Sequence, residues 1–186
     1  MPASSDLAAL LARCARHEPA AQRALYARYA GRMLGVARRY AHTLSEAEDI
    51  LQDAFVKVFT HLNEFRAEGS LEGWIRRIVV TTAINHWQSG KLRRQMQSAS
   101  FDEAPDPPAA DASALDRLNV VEVLALIEQL PDGCRLVLLL YAVDGYSHRE
   151  ISELLNIQES TSKAQLSKAR KQLLHLYQQQ NNYIRL

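Results

Sequence analysis

The residues with the most informative chemistry lie near the C-terminus, in the segment SHREISELLNIQESTSKAQLSKARKQL that spans residues 147–173. If its second half is a helix, one side of that helix carries short, polar or cationic side chains: Thr161, Lys163, Ala164, Gln165, Ser167, Lys168 and Lys171. Small residues let a helix axis approach base edges, while Lys and Gln reach phosphates and base acceptors. The pattern indicates major-groove DNA binding; the alternative is a structural helical hairpin with a solvated face.

Two short helices are needed to position this side. The spacing predicts a first helix over 147–155 that buries Ile151, Leu154 and Leu155, and a second from about Glu159 to Gln178 that buries Leu166, Ala169, Leu173 and Leu176. Asn156 falls at the reversal, where its tolerance of the left-handed conformation is useful, and Ile157 fills the corner. Ser162 falls on the inner side, so we expect its hydroxyl to bond a carbonyl one turn earlier. The sequence therefore predicts a helix-turn-helix.

Two more helices are predicted between the chain's midpoint and this hairpin. An amphipathic helix runs from Leu115 to Leu130 and is ended by Pro131, and a strongly apolar one runs from Arg135 to Val143. Asp144-Gly145 is a turn signal. The apolar helix is expected at the centre of a C-terminal core.

The N-terminal half is predicted to form three helices. The first runs from Pro19 to about Tyr40, the second opens at Ser45 with Glu48 completing a capping box, and the third runs from about Ser70 to Ser89 with Ser70 as its cap. Their predicted apolar positions are Leu25, Tyr29, Met33, Val36 and Tyr40; Ile50, Leu51, Ala54, Phe55 and Val58; and Trp74, Ile75, Ile78, Val79 and Ile84.

The fold class that follows is all-α, with two small helical domains joined by a flexible acidic, Pro-rich linker. Residues 98–114, SASFDEAPDPPAADASA, carry three prolines and four acids and bury too little apolar surface to fold. We therefore predict domains at 1–97 and 115–186. The linker's acidity serves plain solubility or mimics nucleic acid in a basic channel, and both interpretations stay open.

Composition excludes several classes of function. The net charge of +1 is not that of a protein that holds DNA by bulk charge, so contacts must be local or depend on a partner. Cys14 and Cys134 have no second ligand at metal-binding spacing, and no phosphate loop or nucleophile motif is present, so we expect no metal, no cofactor and no enzyme activity. Without a signal peptide or a membrane span, the protein is expected to be cytoplasmic.

Two segments together resemble a known family. The stretch AEDILQDAFVKVFTHLNEFRAEGSLEGWIRRIVVTTAINHW, residues 47–87, resembles the second conserved region of sigma-70 family factors, and residues 147–173 resemble their fourth region. Two such modules without further domains resemble the extracytoplasmic-function (ECF) subgroup. The resemblance implies a sigma factor that directs core RNA polymerase to specific promoters and promotes DNA melting, with the C-terminal hairpin at the −35 element.

The resemblance also implies protein partners. The helix from Ser45 displays Glu48, Asp49, Gln52 and Asp53, which by themselves are typical of a solvated face. In the family this side docks on the coiled coil of the polymerase β′ clamp, and the polymerase β flap is a further expected contact. An anti-sigma factor that covers one or both modules is expected as well.

For the −10 element, the resemblance implies a capture loop followed by a DNA-facing helix. In the loop of residues 65–69, Phe65 and Arg66 would hold a base turned out of the separated strand; alternatively, Phe65 is tucked into the core. The helix contributes Arg76, Arg77, Thr81 and Asn85, then Lys91, Arg93 and Arg94, with Thr82, His86 and Trp87 on the same stretch. Many relatives have Asn where this chain has Thr81, and Ser160 and Ser162 stand where Gly and Val are usual.

One rival class is an ordinary two-domain regulator with the same C-terminal hairpin. Such a protein binds duplex DNA without polymerase, and the N-terminal half lacks the alternating strand and helix pattern of a receiver domain. The sequence therefore favours the sigma factor.

Overall fold

The computed structural model describes residues 3–66, 68–97 and 120–184; the predicted linker, residues 98–114, lies outside them. Every regular element in these ranges is a helix, which confirms the all-α prediction. The chain divides into two compact units, Met1–Ala99 and Ser100–Leu186, called here the N-terminal and the C-terminal unit. The boundaries proposed at residues 97 and 115 stay predictions.

The described part of the N-terminal unit contains four helices, α1 (Ala3–Ala15), α2 (Pro19–Tyr40), α3 (Leu44–Thr60) and α4 (Leu71–Gln97), with a short 3₁₀ turn at Leu62–Glu64. Helices α2, α3 and α4 pack against one another, and α1 packs on α2. The apolar positions predicted for α2 and α3 are all buried, and so are Ile75, Val79 and Ile84 of α4; Trp74 and Ile78 are half-buried. The core was therefore largely predictable from helical spacing.

Helix α1 was not predicted, although its signal is present. Leu7, Leu10, Leu11 and Cys14 recur at the spacing of one helical face, and Cys14 is fully buried. Burial raises the pKa of the Cys14 thiol above its usual range. The connection to α2 passes through His17, which has a positive φ of 58°.

The start of α3 differs from the prediction. The N-cap is Thr43, whose hydroxyl accepts from the Glu46 backbone N–H over 3.1 Å, and the Glu46 carboxylate accepts from the His42 N–H over 2.8 Å. Ser45 therefore lies inside the helix, and the predicted Ser45–Glu48 capping box was wrong by two residues. Both Thr43 and Ser45 suit an N-cap, so residue type alone could not separate them.

The start of α4 was correctly predicted, but its end was not. Ser70 Oγ accepts from the Gly73 N–H over 3.0 Å, as expected of a cap. The helix continues to Gln97, so Ser89 and Gly90 lie inside it instead of ending it. Helix propensity penalises an internal Gly by only about 1 kcal/mol, which neighbouring turns offset.

The C-terminal unit contains α5 (Val120–Ile127), α6 (Asp132–Leu138), a π-helical turn (Leu139–Val143), α7 (His148–Leu155) and α8 (Glu159–Ile184). Helix α8 packs against α5, α6 and α7. Residues 115–119 of the helix predicted over Leu115–Leu130 lie outside the described residues, and α5 ends at Ile127 rather than at Leu130. Helix α6 begins at Asp132, directly after Pro131, rather than at Arg135, so Arg135 falls inside the helix and is only 3% exposed.

The helix-turn-helix has the predicted form. Ser147 caps α7 in a complete capping box with Glu150, and Asn156 ends the helix in the left-handed conformation at φ 52° and ψ 51°. Gly145, in the predicted turn before it, has φ +76°, a value that suits glycine. The predicted inner residues Leu166, Ala169 and Leu173 of α8 are buried. Helix α8 extends past Gln178 to Ile184.

Candidate nucleic-acid interface

The acidic side of α3 is exposed as predicted. Glu48, Asp49, Gln52 and Asp53 are all exposed, and Asp53 Oδ2 lies 2.7 Å from His86 Nε2 of α4. Two apolar side chains extend the same side at four-residue spacing, Leu44 at 53% exposed and Val56 at 65%. A row that is apolar at both ends and polar in its middle is suited to a protein partner with basic and apolar groups. Leu44 and Val56 were not predicted as part of this surface. Their signal in the sequence is that each is an apolar residue outside the buried stripe of α3.

A cavity of about 440 Å³ opens beside the predicted capture loop. Its lining includes Phe65, Arg66, Gly69, Trp74 and Arg77. Phe65 is half-buried and its ring packs on Trp74 with 5.6 Å between centroids, so it forms part of the cavity wall rather than lying deep in the core. Arg66 and Arg77 are exposed. An aromatic wall with two guanidinium groups can stack and hydrogen-bond an unpaired base.

The remaining predicted −10 residues on helix α4 differ in their exposure to solvent. Asn85 is exposed, while Arg76 and Thr81 are half-buried, and the Thr81 hydroxyl donates to the Arg77 carbonyl over 2.8 Å. The side chains of Lys91, Arg93 and Arg94 lie outside the described residues, although the α4 backbone includes them.

Thr82 does not face outwards, which corrects its grouping with the DNA-facing residues. It is buried and accepts a hydrogen bond from Lys57 Nζ of α3 over 3.1 Å. Thr82 and His86 are four residues apart on α4, and their partners Lys57 and Asp53 are four apart on α3. These paired contacts join the acidic side of α3 to α4. Lys57 was not identified from the sequence.

The outer side of α8 carries most of the predicted major-groove residues. Thr161, Lys163, Ala164, Ser167 and Lys171 are exposed, and Lys168 is half-buried. Lys163 Nζ lies 2.7 Å from Glu159 Oε1 in an i,i+4 ion pair. The hydrogen bond from Lys163 holds the pKa of the Glu159 carboxyl below its usual range.

Two polar residues of α8 are engaged by neighbouring helices. Ser162 is 0% exposed, and its hydroxyl lies 2.9 Å from His148 Nδ1 at the start of α7. The expected bond to a carbonyl one turn back is replaced by this contact across the hairpin. Gln165 is half-buried, and its Oε1 accepts from the Cys134 thiol of α6 over 2.8 Å. The oxygen of the predicted residue Gln165 is therefore bonded to the scaffold helix α6.

No metal-binding group emerges from the part of the chain that is described. Among those residues, no cluster of three or more His, Cys, Asp or Glu side chains is arranged to hold an ion. Cys14 and Cys134 are not joined in a disulfide, and both are buried. None of the described helices has the length and apolar character needed to cross a membrane.

Comparison with known proteins identifies both halves. Residues 25–93 match the family model of sigma-70 region 2, and residues 121–173 match that of sigma-70 region 4. The RNA polymerase sigma-H factor of Pseudomonas aeruginosa is 27% identical over 170 residues, which cover 87% of this chain and 88% of that protein. The ECF RNA polymerase sigma-E factor of Escherichia coli is 27% identical over 157 residues, covering 78% and 81%.

A solved structure shares the fold. The sigma factor RpoE of Bartonella quintana, in co-crystals with the anti-sigma factor NepR, superposes with a TM-score of 0.53 at 20% identity, covering 84% of this chain and 96% of that one. With the two region models matching in chain order and relatives named as sigma factors over most of their length, the chain belongs to the sigma-70 family, in its ECF group.

Proposed function

We propose that this protein directs core RNA polymerase to specific promoters and stabilises strand separation there, while the polymerase performs the chemistry. The observation that carries the proposal is the match of one chain to sigma-70 region 2 at 25–93 and region 4 at 121–173, in that order. The relatives are named as RNA polymerase sigma factors, and the chain covers most of their length.

The C-terminal unit is proposed to read the −35 element. Helix α8 would enter the major groove with Thr161, Ala164 and Ser167 near the bases and Lys163, Lys168 and Lys171 on phosphates. Exposure of most of these side chains and a complete capping box on α7 support this proposal, because a reading helix needs a free outer side and a rigid mount.

The N-terminal unit is proposed to hold the opened −10 strand. The cavity lined by Phe65, Arg66 and Trp74 is large enough for one unpaired base, which stacking stabilises by about 1–3 kcal/mol. Arg76, Arg77, Thr81 and Asn85 would contact the neighbouring strand, with Lys91, Arg93 and Arg94 on phosphates. The aromatic wall and the exposed guanidinium groups of Arg66 and Arg77, which line the cavity, support this assignment.

Docking on polymerase is assigned to the exposed row on α3. Glu48, Asp49, Gln52 and Asp53 would meet the basic coiled coil of the β′ clamp, with Leu44 and Val56 adding apolar contacts; the C-terminal unit would meet the β flap. Placement on the enzyme explains how a chain with a net charge of only +1 binds DNA, because polymerase then supplies much of the affinity.

Three further points follow from this role. The domain limits 1–97 and 115–186, with a connecting segment over 98–114, would let the two units reach separate promoter elements.

An anti-sigma factor is proposed as the inhibitory partner, as NepR is bound to RpoE of Bartonella quintana. The protein is proposed to act in the cytoplasm, where bacterial RNA polymerase works.

Run-off transcription with purified core polymerase tests the function. We expect initiation at a restricted set of promoters only when the chain is added, and mapping the starts across the genome would give their shared elements. Binding of a duplex operator by the chain alone, with no response to polymerase, would instead identify an ordinary regulator.

The docking assignment has its own test. Charge reversal by Glu48→Lys with Asp49→Lys should weaken polymerase binding at least about tenfold, because two like charges would face a basic partner. Asp6→Lys, an exposed reversal on α1, is the control and should leave affinity within about twofold. Equal affinities for the docking variant and the wild type in a pull-down titration would remove the assignment.

A further inference from the structure

Gln165 lies at the edge of the α8 side proposed for the major groove, yet its carboxamide is held by α6. The Cys134 thiol donates to Gln165 Oε1 over 2.8 Å, and Cys134 is itself only 1% exposed. The carboxamide also lies against Gly133, at 3.6 Å from the point where a Cβ on that glycine would stand. Oε1 therefore points towards the interior of the C-terminal unit.

Gln165 lies between the buried side of α8 and the side proposed to face DNA. Residues three and four positions apart are neighbours on a helix. On one flank of Gln165 these neighbours are Ser162 and Ala169, both buried; on the other they are Thr161 and Lys168, which belong to the proposed DNA side. Gln165 thus stands at the border between scaffold and groove, with its acceptor atom committed to the scaffold.

A committed acceptor changes what a glutamine can read. The side chain has one carbonyl oxygen that accepts and one NH₂ group that donates. Bidentate reading of adenine needs both, because Oε1 accepts from N6 while Nε2 donates to N7. Oε1 keeps a second lone pair, but its bond to Cys134 turns it towards α6, so Nε2 is the polar edge that the carboxamide would offer to the groove. A side chain that offers only a donor suits guanine, because guanine N7 and O6 both accept in the major groove.

We propose that Cys134 is a positioning residue that makes Gln165 a donor-only reader, so that one base of the −35 element is selected as guanine over adenine. Cys134 touches no DNA itself and acts through the orientation of the carboxamide. This inference rests on the proposed function, because it requires α8 in the major groove.

The test measures base preference with holoenzyme on a promoter library randomised across the −35 element, by sequencing the transcripts. Gln165→Met, which keeps the length and removes both polar atoms, should lose preference at one position and so identify it. At that position, Cys134→Ala should lower the guanine-to-adenine ratio at least about fivefold, the lower end of the discrimination given by a bidentate pair. Cys134→Ser keeps a donor and should retain the wild-type ratio.

Rescue by serine separates positioning from general packing, since a loss of packing alone would reduce all promoters alike. If Cys134→Ala does not fold, Cys134→Val also lacks a donor and fills the space. An unchanged ratio in the donor-less variant, an equal shift in Cys134→Ser, or no position affected by Gln165→Met would each overturn the inference. Absence of initiation by the wild-type holoenzyme on every library member would instead count against the proposed function.

Discussion

Ser162 is the residue where the inner side of α8 departs from an apolar pattern. Its hydroxyl lies 2.9 Å from His148 Nδ1, and the His148 ring stacks on Tyr141 with 4.6 Å between centroids. The π-helical turn, α7 and α8 therefore meet at one histidine. Because Ser162 is fully buried, a polar side chain is tolerated there only with a partner.

Ser162→Ala should loosen the hairpin. Removing the hydroxyl deprives His148 of its partner at a cost of about 1 kcal/mol, which corresponds to roughly fivefold faster amide exchange in α7 and α8 by hydrogen–deuterium exchange. Ser160→Ala is the matched control: it brings a similar gain in helix propensity but alters an exposed side chain. Equal protection in the two variants would mean that the contact with His148 contributes nothing.

For single residues, the sequence predicted which side chains are exposed better than it predicted their hydrogen-bond partners. Helical spacing correctly assigned most of the buried apolar positions and most of the outer side of α8, while Leu154 and Leu176, predicted as buried, are half-buried. It could not show that Ser162 would bond a histidine fourteen positions earlier, or that Gln165 would turn towards Cys134, thirty-one positions earlier. Such contacts depend on how helices pack, which local periodicity does not encode.

The start of α3 provides a test at the scale of one element. Thr43→Ala should destabilise the N-terminal unit by about 1 kcal/mol, because the Glu46 N–H loses its acceptor. Ser45→Ala should cost less than about 0.5 kcal/mol, since that residue lies inside the helix. Urea unfolding followed by tryptophan fluorescence measures both, because the two tryptophans, Trp74 and Trp87, lie on α4. A larger loss at Ser45 would restore the original capping assignment.

The first turns of α8 hold a pH-dependent pair. Lys163 lowers the pKa of Glu159 by a hydrogen bond and by its charge. Because this pKa is lower in the folded chain than in the unfolded chain, the pair's contribution is present above the ordinary carboxyl pKa and is lost as the pH falls through the lowered value.

Lys163→Met should therefore return the pKa of Glu159 towards its ordinary value, as measured by NMR titration of the side-chain carboxyl. Lys171→Met, on the same helix but away from Glu159, is the control and should leave the titration unchanged. A Glu159 titration that does not respond to loss of Lys163 would contradict the pair.

Element types and their order were predictable because the buried stripes are strongly periodic, whereas element ends were less so. Helix α4 runs beyond Ser89 and α6 begins before Arg135, since a tolerated Gly and a preceding Pro shift a boundary without disturbing the stripe. The cavity beside Phe65 could not be foreseen, because it depends on how the loop lies over Trp74 and Arg77.

The whole molecule carries almost no net charge, so its DNA affinity must come from a few placed cations and from the enzyme that carries it. Paired contacts between α3 and α4, Asp53 with His86 and Lys57 with Thr82, tie the side proposed for docking to the helix proposed to face DNA within the N-terminal unit. In the proposed function, promoter selection depends on both units engaging one DNA while polymerase holds them.

Salt dependence offers a count of the cations that the C-terminal unit is proposed to place on phosphates. Each phosphate contact contributes a slope of about 0.9 in the logarithm of affinity against the logarithm of salt concentration, so Lys163→Ala with Lys168→Ala should lower the slope for holoenzyme binding by about two. Arg23→Ala with Arg38→Ala, two exposed cations on α2 outside the proposed surfaces, is the matched control and should keep the slope. Filter binding or fluorescence anisotropy across a salt series measures both. If the lysine variant kept the full slope, α8 would not lie against the backbone of the −35 element, whatever its resemblance to a DNA-reading helix.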